Sequence, residues 1–208
     1  MPPGQAERSL RTRNHILVGV LVLAVILIAV LLAALLPGVF HDLGISVISI
    51  EGVIVTGGSG KGYAGSVTVG DAIRDAANDP MVDAIVLRVN SPGGTPAGAQ
   101  EIIADIVYAK ERKPVVVSMG DIATSSAYYV SAYADRIYAS PDTITGGIGT
   151  SWTFADISGW MEEENLSVEV IKSGSMKDMG AGYRPLTEEE REYAGQVVNR
   201  SAERIISD

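Results

Sequence analysis

The feature that most constrains this chain is a run of 21 residues, 16–36, with no charged and no strongly polar side chain. A helix of that length rises about 30 Å, which matches the hydrocarbon core of a bilayer. A buried core helix would normally carry a polar face, and this run has none. A cleaved signal peptide would have an apolar stretch of about 7–15 residues before a small-residue cleavage site, whereas this run is longer and ends at Pro37-Gly38. We therefore predict a retained transmembrane anchor over residues 15–38.

Charges on either side of the apolar run predict its orientation. Arg8, Arg11 and Arg13 precede it, opposed by Glu7 alone, and residues 37–46 contain no lysine or arginine. Because positive residues favour the cytoplasmic side, residues 1–14 are predicted to form a disordered cytoplasmic tail. In this single-pass arrangement in the cell membrane, residues 39–45 are a linker. Residues 46–208 are an extracytoplasmic domain.

The predicted outer domain is acidic. The whole chain has 16 basic and 25 acidic residues and a net charge of −9. When the four charged residues of the tail are set aside, 13 basic and 24 acidic residues remain, which gives a net charge of −11. Such a surface repels the phosphates of nucleic acid, so a nucleic-acid partner is excluded. The absence of cysteine excludes disulfides and thiolate metal sites.

Beyond residue 45, strand and helix patterns alternate along the chain. The predicted strands cover residues 46–50 and 53–55 (a strand or hairpin), 83–90, 114–119, 136–139 and 166–171. The predicted helices cover residues 67–78, 97–110, 125–134, 154–164 and 188–207, and residues 57–65 form a Gly/Ser-rich loop. This alternation predicts an α/β fold with a mostly parallel sheet and crossover helices.

The positions of the histidines restrict the chemistry of the outer domain. His15 and His41 border the apolar run, so the chain beyond residue 41 has neither histidine nor cysteine. This excludes a Ser-His-Asp triad, a Cys-His dyad and a His-based zinc site, and no metal or cofactor is predicted. A hydrolase here needs a Ser or Thr nucleophile with lysine as the base, or a carboxylate site. Composition alone favours none of the five lysines, which are Lys61, Lys110, Lys113, Lys172 and Lys177.

Two segments that follow predicted strands are candidates for a site. The turn at residues 90–94 exposes backbone N–H groups at the carboxyl end of a parallel strand, where ligands tend to bind. Such groups bind oxyanions in many enzymes. Thr124, Ser125 and Ser126 lie at a strand-to-helix turn, where the helix N-terminus favours negative charge. The same patterns are typical of an ordinary tight turn and a helix cap, and these residues alone do not distinguish the three hydroxyls.

Three motifs, taken together and in this order, resemble the signal peptide peptidase A proteases of peptidase family S49. They are N-S-P-G-G at 90–94, S-S-A-Y-Y at 125–129 and S-G-S-M-K-D at 173–178. The resemblance covers about residues 46–205 and implies a ClpP/crotonase-like fold. It also implies a Ser-Lys dyad in which Ser125 is the nucleophile and Lys177 the general base. Lys177 would have to lose its proton before it could accept one from Ser125.

The resemblance further implies an oxyanion hole formed by the backbone N–H groups of Gly93, Gly94 and Ser126. Relatives often carry Gly-Gly where this chain has Ser126-Ala127. The implied function is a membrane-anchored serine endopeptidase that cleaves remnant signal peptides or other hydrophobic peptides and forms a homo-oligomer. Family members continue past the position of Asp208, so we expect the domain to be truncated at its C-terminus.

Two other functions are compatible with the same motifs. A catalytically inactive membrane scaffold of the same fold would assemble without cleaving peptides, and the short C-terminus favours it. An acyl-CoA enzyme would use the turn N–H groups as its own oxyanion hole. The predicted external location disfavours that second alternative, because coenzyme A is cytoplasmic.

Overall fold

The protein is represented by a computed structural model that describes residues 3–35 and 44–207, with side chains in the first stretch described for residues 17–32 and 34. The chain divides into two compact units, Met1–Gly44 and Ile45–Asp208. Most of the predicted linker, residues 39–43, lies outside the described residues. The side chains of the predicted orientation signal, Arg8, Arg11 and Arg13, also lie outside them.

The first unit contains one long helix, α1 (Pro3–Leu35). It begins within the segment predicted to be a disordered tail, so that prediction is wrong for residues 3–14. Proline is favoured at the first helical position, and the residues after it are mostly good helix formers with no further proline. The described side chains of α1 are exposed. Within the part of the chain whose side chains are described, no helix is long and apolar enough to cross a membrane.

Seven strands are present among the described residues of the second unit. They are β1 (Ile45–Glu51), β2 (Val53–Val55), β3 (Tyr63–Gly65), β4 (Ala84–Ser91), β5 (Val115–Thr124), β6 (Arg136–Tyr138) and β7 (Ile144–Gly146). The main sheet has the order β1-β4-β5-β6, with β7 pairing the later part of β5, and every one of these pairs is parallel. The predicted α/β class with a mostly parallel sheet is confirmed. Of the strand and the hairpin predicted as alternatives for residues 46–55, the hairpin is absent, because β1 pairs with β4 while β2 pairs with β3.

Five helices are present among the described residues of the second unit. They are α2 (Ser66–Asn78), α3 (Pro96–Lys110), α4 (Ser126–Ala132), α5 (Ser158–Glu163) and α6 (Glu188–Ser207). Alternate residues are buried along most of β1, β4 and β5, as in a sheet that is covered on one face. They pack with the apolar faces of α2 and α3 into one core, whose largest members include Ile50, Ile73, Leu87, Ile102 and Ile106.

The segment after β7 differs most from prediction. Residues 166–171 alternate apolar and polar side chains, which is typical of a strand, yet they form none. A strand needs a partner for its backbone groups, and these residues pair with no other described segment. Leu166 and Val168 are each about half exposed, and Ile171 is 96% exposed. The helix predicted over residues 154–164 shortens to the six residues of α5.

Two short strands, β3 and β7, were not predicted. β3 lies at the end of the segment predicted to be a Gly/Ser-rich loop, and β7 lies where no element was expected. β5 also continues to Thr124, five residues beyond the predicted end of its strand at residue 119. The two three-residue strands and the five-residue extension are each too short for a clear apolar pattern.

Candidate active site

Ser125 occupies the turn between the end of β5 and the start of α4. Its backbone has φ 54° and ψ −125°, which is a conformation that non-glycine residues seldom adopt. Holding a residue there costs of the order of 1–3 kcal/mol. The Ser125 N–H donates to the Gly146 carbonyl oxygen at 2.8 Å, so the unpredicted strand β7 stabilises this turn.

The three neighbouring hydroxyls that sequence alone did not distinguish have different surroundings. The Thr124 hydroxyl donates to the Pro92 carbonyl oxygen at 3.0 Å. The Ser126 side chain is buried, and its hydroxyl donates to the Gly94 carbonyl oxygen at 3.0 Å. The Ser125 hydroxyl has no hydrogen-bond partner among the described residues and lines a pocket. Ser125 is therefore the one of the three whose hydroxyl is available for reaction.

The glycine turn at residues 90–94 lies directly against Ser125. Gly93 has φ +101°, and a Cβ atom built on it would lie 2.7 Å from Ser125 Cβ and 3.0 Å from Ser126 N. Those separations are shorter than real carbon contacts, so a side chain at this position would displace the Ser125 turn. The structure thus brings Gly93, Ser125 and Ser126 together, as the motifs predict.

Some backbone N–H groups around this turn donate hydrogen bonds within the protein, and others have no acceptor among the described residues. The Gly93 N–H donates to the Ser91 hydroxyl oxygen at 3.1 Å, and the Gly93 carbonyl accepts from the Ile54 N–H at 2.8 Å. Neither the Gly94 N–H nor the Ser126 N–H has a partner in the described part of the chain. Of the three predicted oxyanion donors, Gly94 and Ser126 are available, whereas the Gly93 N–H is already bonded.

Asn90 shapes the approach to the site from inside the sheet. The register of β4 against β5 shifts after Val89, so that Ser91 pairs with Ala123 and β5 bulges. The Asn90 side-chain oxygen accepts from the N–H groups of Asp121 at 3.1 Å and Ile122 at 3.3 Å within this bulge. The motif residue Asn90 thereby satisfies backbone donors that the bulge leaves without a ladder partner.

A mostly apolar pocket of about 130 Å³ opens beside Ser125. Its other lining residues come from α4, from the segment after β7 and from α6, and they are Tyr128, Tyr129, Ala132, Tyr133, Ile148, Gly149 and Ile205. Tyr129 and Tyr133 stack edge to face with ring centroids 5.7 Å apart, which fixes one wall. A ligand side chain in this pocket would contact aromatic and aliphatic carbon atoms. The Ser125 hydroxyl would lie beside it.

Lys177 lies in the connection between α5 and α6 and is exposed. The backbone N–H of Lys177 donates a hydrogen bond to the Gly174 carbonyl oxygen at 3.2 Å, which is one of several turn bonds in this segment. Lys177 does not line the pocket. In the described structure its side chain makes no hydrogen bond to Ser125. The predicted nucleophile and the predicted base are therefore not in contact, whereas Ser125 lies against Gly93 and Ser126.

The residue after Lys177 belongs to a charged cluster that the motifs did not predict. Asp178 accepts from Lys172 Nζ at 2.5 Å and from Arg184 Nη2 at 2.8 Å, and Arg184 also pairs with Glu190. Hydrogen bonds from Arg184, Lys172 and Tyr183 hold the pKa of Asp178 well below its usual value. The pattern Thr187-x-x-Glu190 before a helix was a signal for part of this cluster, since it is a capping box. The pairing of Asp178 with Arg184 follows no local sequence rule.

Among the described residues, no three His, Cys, Asp or Glu side chains lie close enough together to hold a metal ion. The carboxylates of Asp178 and Glu190 are both paired with Arg184.

Comparison with known proteins supports the resemblance that the three motifs indicate. The family model described as peptidase family S49 matches residues 108–207, which include both Ser125 and Lys177. Over these residues, just under half of the chain, the sequence is similar to peptidase family S49. The resemblance based on the three motifs is thereby confirmed.

Three proteins that this chain resembles are named as proteases. The chain is 49% identical over 136 residues to Protease 4 of Salmonella typhi, an alignment that covers 65% of this chain and 22% of that protein. It is 33% identical over 164 residues to Protease 4 of Haemophilus influenzae, covering 78% and 26%. It is 32% identical over 123 residues to the chloroplastic serine protease SPPA of Arabidopsis thaliana, covering 59% and 18%. The chain thus spans about a quarter or less of the length of each of these relatives.

Proposed function

We propose that this chain is a serine endopeptidase of peptidase family S49 that cleaves hydrophobic peptides, with Ser125 as nucleophile and Lys177 as general base. One observation carries the proposal. The Ser125 hydroxyl has no partner among the described residues, sits in a strained turn and adjoins an apolar pocket. A reactive hydroxyl must be free to approach a carbonyl carbon, and the neighbouring hydroxyls of Thr124 and Ser126 are both engaged.

The reaction we propose is acyl transfer through a covalent intermediate. Ser125 Oγ attacks the peptide carbonyl carbon while its proton passes to the neutral Nζ of Lys177. The developing oxyanion accepts hydrogen bonds from the N–H groups of Gly94 and Ser126, with Gly93 shaping the turn that holds them. Lys177 then donates the proton to the leaving amine. Water, deprotonated by the same lysine, attacks the acyl carbon and releases Ser125.

This mechanism requires Lys177 to move from its exposed position. Proton transfer needs donor and acceptor within about 2.6–3.2 Å, and catalytic hydrogen bonds often form only when substrate binds. The segment around Lys177 consists of successive turns without a strand or helix. We infer that the Lys177 side chain turns towards Ser125 in the substrate complex.

The pocket beside Ser125 supports an apolar substrate side chain next to the scissile bond. Three tyrosine rings and two isoleucines, Ile148 and Ile205, supply most of its lining. Burying one large apolar side chain there would contribute about 1.5–3 kcal/mol. We therefore propose remnant signal peptides and other hydrophobic segments as substrates, because such segments offer apolar side chains at most positions.

Membrane attachment through residues 15–38 is part of the proposal. The uncharged run of 21 residues supports it, as do the exposed apolar side chains of α1, from Leu17 to Leu32. The arginines before the run support a cytoplasmic N-terminus and an extracytoplasmic catalytic domain. External protease added to intact cells would then digest the domain beyond residue 40 and spare the tail. Full protection of the domain would contradict this orientation.

Self-association is also proposed, on the basis of exposed apolar side chains. Many large apolar residues between positions 137 and 171 are at least 40% exposed, among them Ile144, Trp152, Trp160, Leu166 and Ile171. Burying such side chains against a partner surface removes apolar area from water, which is favourable. A second copy of this chain, in a homo-oligomer of the ClpP/crotonase-like type, is the partner that we propose for it.

The inactive scaffold is the less favoured function. A scaffold has no need for an unpaired serine hydroxyl, for available N–H donors or for a strained turn, and strain of this kind persists when function requires it. The named relatives of this chain are proteases.

The test is a pair of adjacent alanine variants assayed on an apolar peptide. Ser125→Ala should lower kcat by at least about a thousandfold, because the nucleophile is lost. Ser126→Ala should lower it less than about tenfold, since only the Ser126 backbone N–H acts on the oxyanion. Circular dichroism of both variants checks that the fold persists. Full activity in Ser125→Ala, or the reverse order of the two variants, would overturn the proposed nucleophile.

A further inference from the structure

The residue beside the proposed base is held by an unusual number of donors. Asp178 Oδ1 accepts from Lys172 Nζ and from Arg184 Nη2, and Asp178 Oδ2 accepts from Tyr183 OH at 2.7 Å and Arg184 Nε at 3.1 Å. The Asp178 side chain is only 11% exposed. Because Asp178 directly follows Lys177 in the chain, these four bonds fix the backbone from which the Lys177 side chain projects.

The same arginine continues to the start of α6. Arg184 Nη2 donates to Glu190 Oε1 at 2.7 Å, and Arg184 Nη1 donates to Glu190 Oε2 at 2.8 Å. The Glu190 side chain is 1% exposed and also accepts from the Thr187 N–H at 2.9 Å. Thr187 Oγ1 in turn accepts from the Glu190 N–H, which completes the helix cap. The first turn of α6 is therefore joined to the Lys177 segment through one guanidinium group.

The other end of α6 contacts the surroundings of Ser125. Ile205 lines the pocket beside Ser125. Earlier in the helix, Ser201 Oγ lies 3.1 Å from Thr150 Oγ1, in the segment that follows β7. β7 itself accepts the hydrogen bond of the Ser125 N–H. One helix thus contacts the pocket at its far end and the Lys177 segment at its start.

We propose that Arg184 is a positioning residue for Lys177, joining the turn that carries this lysine to the helix that lines the Ser125 pocket. The proposal rests on the proposed Ser-Lys mechanism. A bidentate guanidinium fixes both distance and orientation, which a lysine at the same place would not do. The pairing also neutralises Asp178, so no uncompensated carboxylate lies beside the lysine that must give up its proton.

The first test compares two arginines of the same region. Arg184→Met and Arg191→Met each remove one guanidinium, but Arg191 is exposed and only loosely paired with Glu188 at 3.9 Å. In the full-length protein with an apolar peptide, Arg184→Met should lower kcat about 10–100-fold and leave KM within about threefold. A misplacement of about 1 Å costs roughly that much in rate. Arg191→Met should change both constants less than about twofold.

A second variant covers the case in which Arg184→Met does not fold. Asp178→Asn keeps the bidentate pair between Arg184 and Glu190, so the buried Glu190 carboxylate remains paired. The same change weakens the bonds between Arg184 and the turn that carries Lys177. It should show the same fall in kcat at nearly constant KM. A rise in KM with unchanged kcat, in either variant, would overturn the proposal, because it would mean that the cluster shapes the pocket instead.

A double-variant comparison separates positioning from general stability. Lys177→Ala should itself remove most of the activity, and adding Arg184→Met should then change the residual rate less than about twofold, since no base remains to be placed. An equal fold loss in both backgrounds would assign Arg184 a structural role only. Wild-type activity in Lys177→Ala alone would instead show that the Ser-Lys mechanism is wrong, whatever the arginine variants do.

Discussion

Different interactions hold the Ser125 region, which is the turn between β5 and α4, and the Lys177 region, which is the connection between α5 and α6. Ser125 is held by backbone: a bulged parallel sheet, a glycine turn in contact with its Cβ atom, and a hydrogen bond from its N–H to β7. Lys177 is held by charged side chains, chiefly the bonds of Asp178 with Lys172 and Arg184. No strand or helix includes it.

This difference determines how each region should respond to change. Backbone geometry at the sheet edge is sensitive to added atoms and insensitive to pH, because close contacts and amide hydrogen bonds do not titrate. A charge cluster tolerates added atoms at its rim but weakens when its carboxylates are protonated. The Ser125 region should therefore be broken by steric variants and the Lys177 region by charge variants.

The largest expected effect concerns the charge of the base. Lys177→Arg should lower kcat/KM about a thousandfold, nearly as much as Lys177→Ala, because a guanidinium remains protonated and cannot accept the Ser125 proton. Lys61→Arg, at another exposed lysine, is the matched control and should stay within about twofold of wild type. Steady-state kinetics on an apolar peptide measures both. Substantial activity in Lys177→Arg would remove Lys177 from the mechanism.

A smaller loss is expected from a steric variant in the Ser125 region. Gly93→Ala adds a Cβ atom 2.7 Å from Ser125 Cβ in a backbone conformation that alanine rarely adopts. Displacement of the turn moves the oxyanion donors, and the loss of one such donor costs about 10²–10³-fold in kcat. Gly195→Ala is the control, since a Cβ atom there meets nothing within 4 Å. In the middle of α6 it should stabilise the fold by about 0.5–1 kcal/mol. Near-normal kcat in Gly93→Ala would mean that the turn is not part of the site.

The smallest effect is a pH dependence confined to the charge cluster. Hydrogen bonds from Arg184 and from the Thr187 N–H lower the pKa of Glu190 from 4.5 to about 2. Because the folded value is the lower one, the ionised carboxylate stabilises the fold above pH 4.5, and that contribution is lost as the pH falls towards 2.

This linkage is measured by urea unfolding between pH 7 and pH 2. The free energy of unfolding of Glu190→Gln should be lower than that of wild type at pH 7, and the gap should narrow below pH 4.5. Glu188→Gln, at a neighbouring side chain that is 92% exposed, should show almost no gap. A gap for Glu190→Gln that is constant with pH would mean that the Glu190 charge does not stabilise the cluster.

The same division explains how far the sequence predicted the structure. Helices α2 and α3 and strands β1, β4 and β5 were predicted, because their apolar residues follow the period of the element and are buried in one core. The segment at 166–171 has the pattern of a strand but no partner strand among the described residues, and pairing cannot be inferred from a single segment. The bonds of Asp178 with Arg184 depend on side-chain orientation within a series of turns, which no periodic pattern encodes.

Within the site, the sequence identified the motifs but not the role of each atom. It left Thr124, Ser125 and Ser126 equivalent until the family resemblance was applied. The structure distinguishes them by the carbonyl partners of the outer two hydroxyls. In the structure, the Gly93 N–H also donates a hydrogen bond to the Ser91 hydroxyl oxygen. Both residues belong to the motif at 90–94, but the motif did not predict this bond.

If Ser125 is the nucleophile, a reagent that reacts with activated serine hydroxyls should modify Ser125 covalently. The full-length protein is treated with a fluorophosphonate, digested, and mapped by mass spectrometry, with Ser125→Ala treated in parallel. We expect one adduct, on the Ser125 hydroxyl, and no adduct in the variant. An adduct on Ser126 or Thr124, or a wild-type protein that takes up no label, would contradict it.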